Sequence, residues 1–135
     1  MDELKYILNI IPKPTPRPRF GKYSVYNKPE YTKYKNDLIF LIKNLNIKKG
    51  DYDYLHARFY FTYPKNTSKK KRINNFPLRT KCDCDNLAKG LMDALEYSGV
   101  INNDRQFSSV FFEKKYTTKE NSYIEFDLEE VLISI

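Results

Sequence analysis

The stretch Asp83-Cys84-Asp85-Asn86-Leu87-Ala88-Lys89-Gly90-Leu91-Met92-Asp93-Ala94-Leu95 concentrates the residues best able to do chemistry, and Asp104 follows after a turn rich in Asn. Carboxylates hold a hard divalent cation through oxygen and leave positions open for water and a phosphate oxygen. A lysine beside them offsets charge that builds on a phosphorus centre, or assists the leaving oxygen. Asp83, Asp85 and Asp104 with Lys89 therefore suit metal-assisted hydrolysis of a phosphodiester. Asp-x-Asp alone is frequent by chance; Asn86, Lys89, Asp93 and Asp104 at these spacings make the pattern specific.

A helix must carry this set. Starting from about Asp85, helical spacing puts Asp85, Lys89 and Asp93 on one face and Leu87, Leu91, Ala94 and Leu95 on the other, the stripe of a core-facing helix. Asp83 and Asp85 stand at its entrance, where carboxylates are expected to cap unpaired N–H groups, and Gly99 offers a stop. The plainer alternative is a capped amphipathic helix with a solvated charged face.

The surroundings argue against the plainer alternative. Lys and Arg number 24 against 17 Asp and Glu, a net charge of +7, so clustered acids stand out in a chain suited to polyanions. Residues 64–81 carry Lys65, Lys69, Lys70, Lys71, Arg72, Arg79 and Lys81 with no acid, and run directly into Asp83. Such a loop can neutralise backbone phosphates, with Phe76 able to wedge or stack against bases; the alternative is a solvated, mobile loop with Phe76 tucked into the core. Pro12-Lys13-Pro14-Thr15-Pro16-Arg17-Pro18-Arg19-Phe20 is extended and stiff, with Arg17 and Arg19 as further phosphate ligands or simply part of a solvated linker.

The rest reads as scaffold. Tyr6 to Ile11 is a first strand; Pro29 opens a helix with Tyr31, Tyr34, Leu38, Leu41, Ile42 and Leu45 as its stripe, ending at Lys48-Lys49-Gly50. Leu55, Ala57, Phe59 and Phe61 alternate with Tyr54, His56, Arg58 and Tyr60 in a strand, and His56 has no evident catalytic partners. Gln106 to Lys115 and Tyr123 to Ile135 are two more strands, expected to pair as a hairpin across a polar turn. The order β-α-β-α-β-β predicts an α+β fold: a single domain over 1–135, one mixed sheet with two helices packed on it. No run of 18 apolar residues is present, Met1-Asp2-Glu3-Leu4-Lys5 lacks the basic n-region and long apolar stretch expected of a signal peptide, and two cysteines with one histidine fall short of a zinc site. Cys82 and Cys84 are poorly spaced for an unstrained disulfide, which points to a reducing cytoplasm.

The pattern Asp-x-Asp-Asn-Leu-x-Lys-x-x-x-Asp-Ala-Leu, followed by Asn103-Asp104-Arg105-Gln106, resembles the RusA family of Holliday junction resolvases, many of them encoded by phages and prophages. The Pro-Arg-Pro-Arg-Phe stretch is similar to one branch of that family. The resemblance implies that Asp83, Asp85 and Asp104 bind metal and that Lys89 is catalytic; Asp93 matches a common family position, and its spacing also suits a structural i,i+4 partner of Lys89. It further implies Mg²⁺ as cofactor without a small-molecule cofactor, a homodimer, a DNA four-way junction as partner, and paired nicks leaving 5′-phosphates. Asn103 departs from the family's acidic pair and Cys82 from a frequent Pro, but neither removes an implied ligand. Two alternatives stay open: a Mg²⁺-dependent nuclease acting on other branched or duplex DNA, and a junction-binding protein without turnover.

Overall fold

A computed structural model describes residues 5–16 and 29–130. Four strands, β1 (Lys5–Leu8), β2 (Tyr54–Thr62), β3 (Ser109–Thr117) and β4 (Tyr123–Glu129), form one sheet with two helices, α1 (Pro29–Asn44) and α2 (Cys84–Tyr97). The architecture is α+β in the expected β-α-β-α-β-β order.

The sheet order is β1-β4-β2-β3, with β2 parallel to β3 and antiparallel to β4, while β1 and β4 are antiparallel. The expected β3–β4 hairpin is therefore corrected: β2 lies between them. The reason is burial. Leu55, Ala57, Phe59 and Phe61 are covered on one face of β2, and Arg58 and Tyr60 on the other. A strand buried on both faces belongs inside a sheet, flanked by the two later strands. The link after β3 passes the end of β2, where the Thr62 backbone N–H donates to Ser122 Oγ at 3.0 Å.

Parallel strands need a crossover, and α2 supplies it between β2 and β3. Both helices pack on one sheet face, joining Tyr34, Leu38, Leu87 and Leu91 to Leu55, Phe59, Ile124 and Phe126. α1 ends earlier than the Lys48-Lys49-Gly50 signal suggested. Asn46 takes a left-handed conformation, φ 55°, just past the last turn, a conformation Asn tolerates better than most residues.

The other sheet face holds an ionic network. Arg58 donates through Nε to Glu125 Oε1 at 2.6 Å and through Nη2 to Asp127 Oδ1 at 3.1 Å. Arg58 Nη1 also lies 2.8 Å from His56 Nδ1, and His56 Nε2 lies 2.6 Å from Glu113 Oε2. A guanidinium only donates, so Nδ1 accepts and Nε2 carries the proton toward Glu113. His56 is thus a sheet residue held in a structural network. Cross-strand register explains the assembly, since Arg58 lies opposite both Glu113 and Glu125.

Candidate active site

α2 begins at Cys84, with Asp83 as the residue before it, φ −71° and ψ 148°. Leu87, Ala88, Leu91, Ala94 and Leu95 are buried, whereas Asp85 and Lys89 are exposed, so the predicted division of faces holds. The capping expectation needs correction. Asp83 makes no side-chain cap to the helix, and Asp85 Oδ1 accepts from the adjacent Asn86 N–H at 3.0 Å. That local bond restrains the Asp85 carboxylate and leaves Oδ2 outside it. Lys89 Nζ lies 3.7 Å from Asp93 Oδ1, the i,i+4 pair implied by the spacing.

Asp104 opens a short 3-10 turn, Asp104–Gln106, preceded by Asn103. Asn103 Oδ1 accepts from Arg105 N–H at 2.9 Å, and Gln106 Oε1 accepts from Asn102 N–H at 2.9 Å and from Asn103 N–H at 3.5 Å. This is a reciprocal cap, which gives Asn103 a structural role of its own. Gln106 Nε2 donates to the Gly50 and Tyr52 carbonyls, each at 3.1 Å, and so ties the turn to the chain entering β2. Asp104 therefore rides on a fixed turn that contacts α2.

Two supports were not evident from spacing. Thr15 N–H and Oγ1 donate to the Asn86 carbonyl at 3.2 and 3.1 Å, and Oγ1 lies 2.9 Å from Tyr31 Oη. The Pro-rich segment and α1 are thereby fastened to the first turn of α2. A Cβ on Gly90 would stand 3.0 Å from Tyr31 Oη, so glycine lets α1 approach this closely. From β3, Lys114 Nζ donates to the Cys82 carbonyl at 2.6 Å and to the Thr80 carbonyl at 3.0 Å. Its signal in the sequence was a lone cation between Phe112 and Tyr116 on the inward side of a strand.

The basic segment 64–81 is anchored at both ends. Tyr63 stacks on Tyr116 with ring centroids 4.2 Å apart, and Tyr63 Oη donates to the Ile73 carbonyl at 2.8 Å. Farther on, Asn75 N–H donates to Tyr116 O at 2.9 Å, Tyr116 N–H to Phe76 O at 2.8 Å, and Leu78 N–H to Lys114 O at 3.1 Å. Between them Lys69–Lys71 form one exposed 3-10 turn. Arg72 turns inward, donating from Nε and Nη2 to the Thr67 carbonyl at 3.0 and 2.8 Å, and so shapes the loop. Phe76 is 44% exposed, not tucked into the core; Lys65 and Arg79 are exposed, and Lys81 Nζ lies 5.2 Å above the Phe61 ring. Arg17 and Arg19 lie outside the described residues.

Asp83 and Asp85 share one turn and Asp104 belongs to the turn that contacts α2, yet among the described residues no three His, Cys, Asp or Glu side chains are gathered as a metal cluster. The donor chemistry nevertheless fits a hard cation. The candidate ligands are carboxylates, whose hard oxygens suit Mg²⁺, whereas a soft thiolate such as that of the intervening Cys84 does not. Mg²⁺ in particular is usually bound by one or two carboxylates with waters and substrate phosphates rather than by a closed protein cage.

The family model for endodeoxyribonuclease RusA matches residues 9–127. No curated protein matches the chain. The family match spans both helices, β2, β3 and the whole of the Asp83–Asp104 region.

Proposed function

Since the chain belongs to the RusA endodeoxyribonuclease family, we propose that it resolves four-way DNA junctions, as a homodimer, by divalent-metal-dependent phosphodiester hydrolysis. The observation that carries the proposal is the Asp83–Asp85 turn at the head of α2, with Lys89 exposed on the same helix as Asp85.

Asp83, Asp85 and Asp104 would hold Mg²⁺. Once bound, the ion polarises the scissile phosphate and lowers the pKa of an attacking water. Lys89, 3.7 Å from Asp93 and more than half exposed, is a solvent-accessible cation in a weak surface pair. It stabilises charge on the departing oxygen or on the phosphate as negative charge develops. Lys69, Lys70, Lys71, Arg79 and Lys81 contact backbone phosphates, with Lys65 and Arg72 adding to the local positive field. Phe76 offers its exposed ring to an unstacked base at the branch point. The described part of the Pro-rich segment is pinned to the first turn of α2 at Thr15, and Arg17 and Arg19 of the same segment are further candidate phosphate contacts. A four-way junction has near two-fold symmetry, so a C2 dimer presents two such sites to opposing strands.

The test compares an immobile four-way junction with a linear duplex of the same arm sequences, in Mg²⁺ and in EDTA, using wild-type protein and Asp85→Asn. Paired Mg²⁺-dependent nicks on the junction alone are expected, with Asp85→Asn binding normally but not cutting. Equal cutting of both substrates would make the protein a general nuclease. Tight binding by wild type without cleavage would refute the enzymatic reading.

A further inference from the structure

We propose that Lys114 is a positioning residue for the nuclease site, fixing the turn that presents Asp83 and Asp85. The inference rests on the nuclease reading above and deepens it.

Lys114 is an unusual residue for its place. Parallel register puts it opposite Phe59, which is fully buried, on the face that carries the helices. Lysine is rarely accommodated there unless its ammonium finds partners. Here Lys114 is partly buried on the edge strand, and its head meets the Thr80 and Cys82 carbonyls. The residue between those carbonyls, Lys81, has φ 72°, a left-handed conformation uncommon for a non-glycine residue and costly unless its surroundings support it. One ammonium thus bridges the kink from both sides. The Lys114 carbonyl adds a third tie by accepting from Leu78 N–H at 3.1 Å.

A single β3 residue therefore fastens the chain at three points just before Asp83. Asp83 leaves this clamp in extended conformation and α2 starts at the next residue. The two carboxylates inherit their placement from a strand in the sheet rather than from the loop itself. A misplacement of about 1 Å in such groups costs about a hundredfold in rate.

Full-length wild type, Lys114→Met and Lys114→Arg separate this role from simple packing, because Met keeps the apolar stem and Arg keeps a cation able to bridge two carbonyls. Hydrogen exchange of the metal-free proteins should show segment 78–88 opening at least about tenfold more readily in Lys114→Met, with β4 and α1 unchanged. Lys114→Arg should restore most of the protection. On the four-way junction in Mg²⁺, Lys114→Met should lower kcat by about 10- to 100-fold, the range for residues supporting metal ligands, with KM within about threefold of wild type. Unchanged exchange at 78–88, exchange rising across the whole sheet, or an unaltered kcat would each overturn the proposal. If wild type cuts no DNA, the nuclease reading fails, and the exchange data still decide whether Lys114 holds the turn.

Discussion

Replacing Lys69, Lys70 and Lys71 together by alanine tests the basic loop quantitatively. The three lysines occupy a single 3-10 turn and all are exposed. With about 3 residues per turn, successive side chains point about 120° apart, so roughly two of them face any one DNA surface. Each phosphate neutralised contributes about −0.9 to the slope of log K against log salt. The triple variant should therefore show a slope shallower by about 1.8 per engaged loop. Between about 50 and 200 mM salt, wild-type binding should weaken about 12-fold more than the variant's for one loop, and about 150-fold more if both loops of a dimer engage. The defect is largest at low salt, where counterion release is worth most. Fluorescence anisotropy with a labelled four-way junction in EDTA measures it without cleavage. Parallel salt plots for the two proteins would refute the phosphate contacts.

Three further outcomes follow from the geometry. Arg58→Met strands Glu125 and Asp127 without their buried partner and should cost about 3–5 kcal/mol in urea denaturation, and a loss under about 1 kcal/mol would contradict the network's role. Gly90→Ala gains about 1 kcal/mol of helix propensity but crowds Tyr31 Oη, which Thr15 holds at 2.9 Å, so overpacking of about 1–3 kcal/mol should leave a net loss and a lower Tm. A raised Tm would show that the ring yields. Burial pushes the Glu113 carboxyl up, but hydrogen bonds from His56 and Lys115 outweigh it and hold the group below its ordinary range. A depressed folded value stabilises fully above the unfolded pKa of about 4.3 and is lost as pH falls through the folded value. The stability gap between wild type and Glu113→Gln should thus narrow from about pH 5 to about pH 3, and a constant gap would count against the coupling.

The local parts of this protein were legible in its sequence because local physics sets them. The stripe of α2, the alternation of β2 and the Gly99 stop depend on neighbours a few residues away, and Gly99 indeed has φ 85°. The strand order was not legible. Ile124, Phe126 and Leu128 suit a hairpin with β3 as well as insertion beside β2, and only the two-sided burial of β2 selects the latter. The candidate carboxylates and Lys89 were visible as a motif, whereas their supports were not. Thr15, Gln106 and Lys114 act across separations of 71, 56 and 32 residues, and no short-range pattern marks such partners.

The sheet order also governs how the chain comes to be folded. β4, the last strand described, is inserted between β1, the first, and β2, so the two early strands have no direct pairing with each other. An emerging nascent chain can form α1 and α2 but cannot complete the sheet until residues 123–129 have left the ribosome. Lys114 and the turn it steadies must wait for the same event. The DNA-cutting apparatus is consequently assembled late in biosynthesis, and a chain interrupted before β4 would expose an apolar β2 edge to aggregation instead of yielding a partly active fragment.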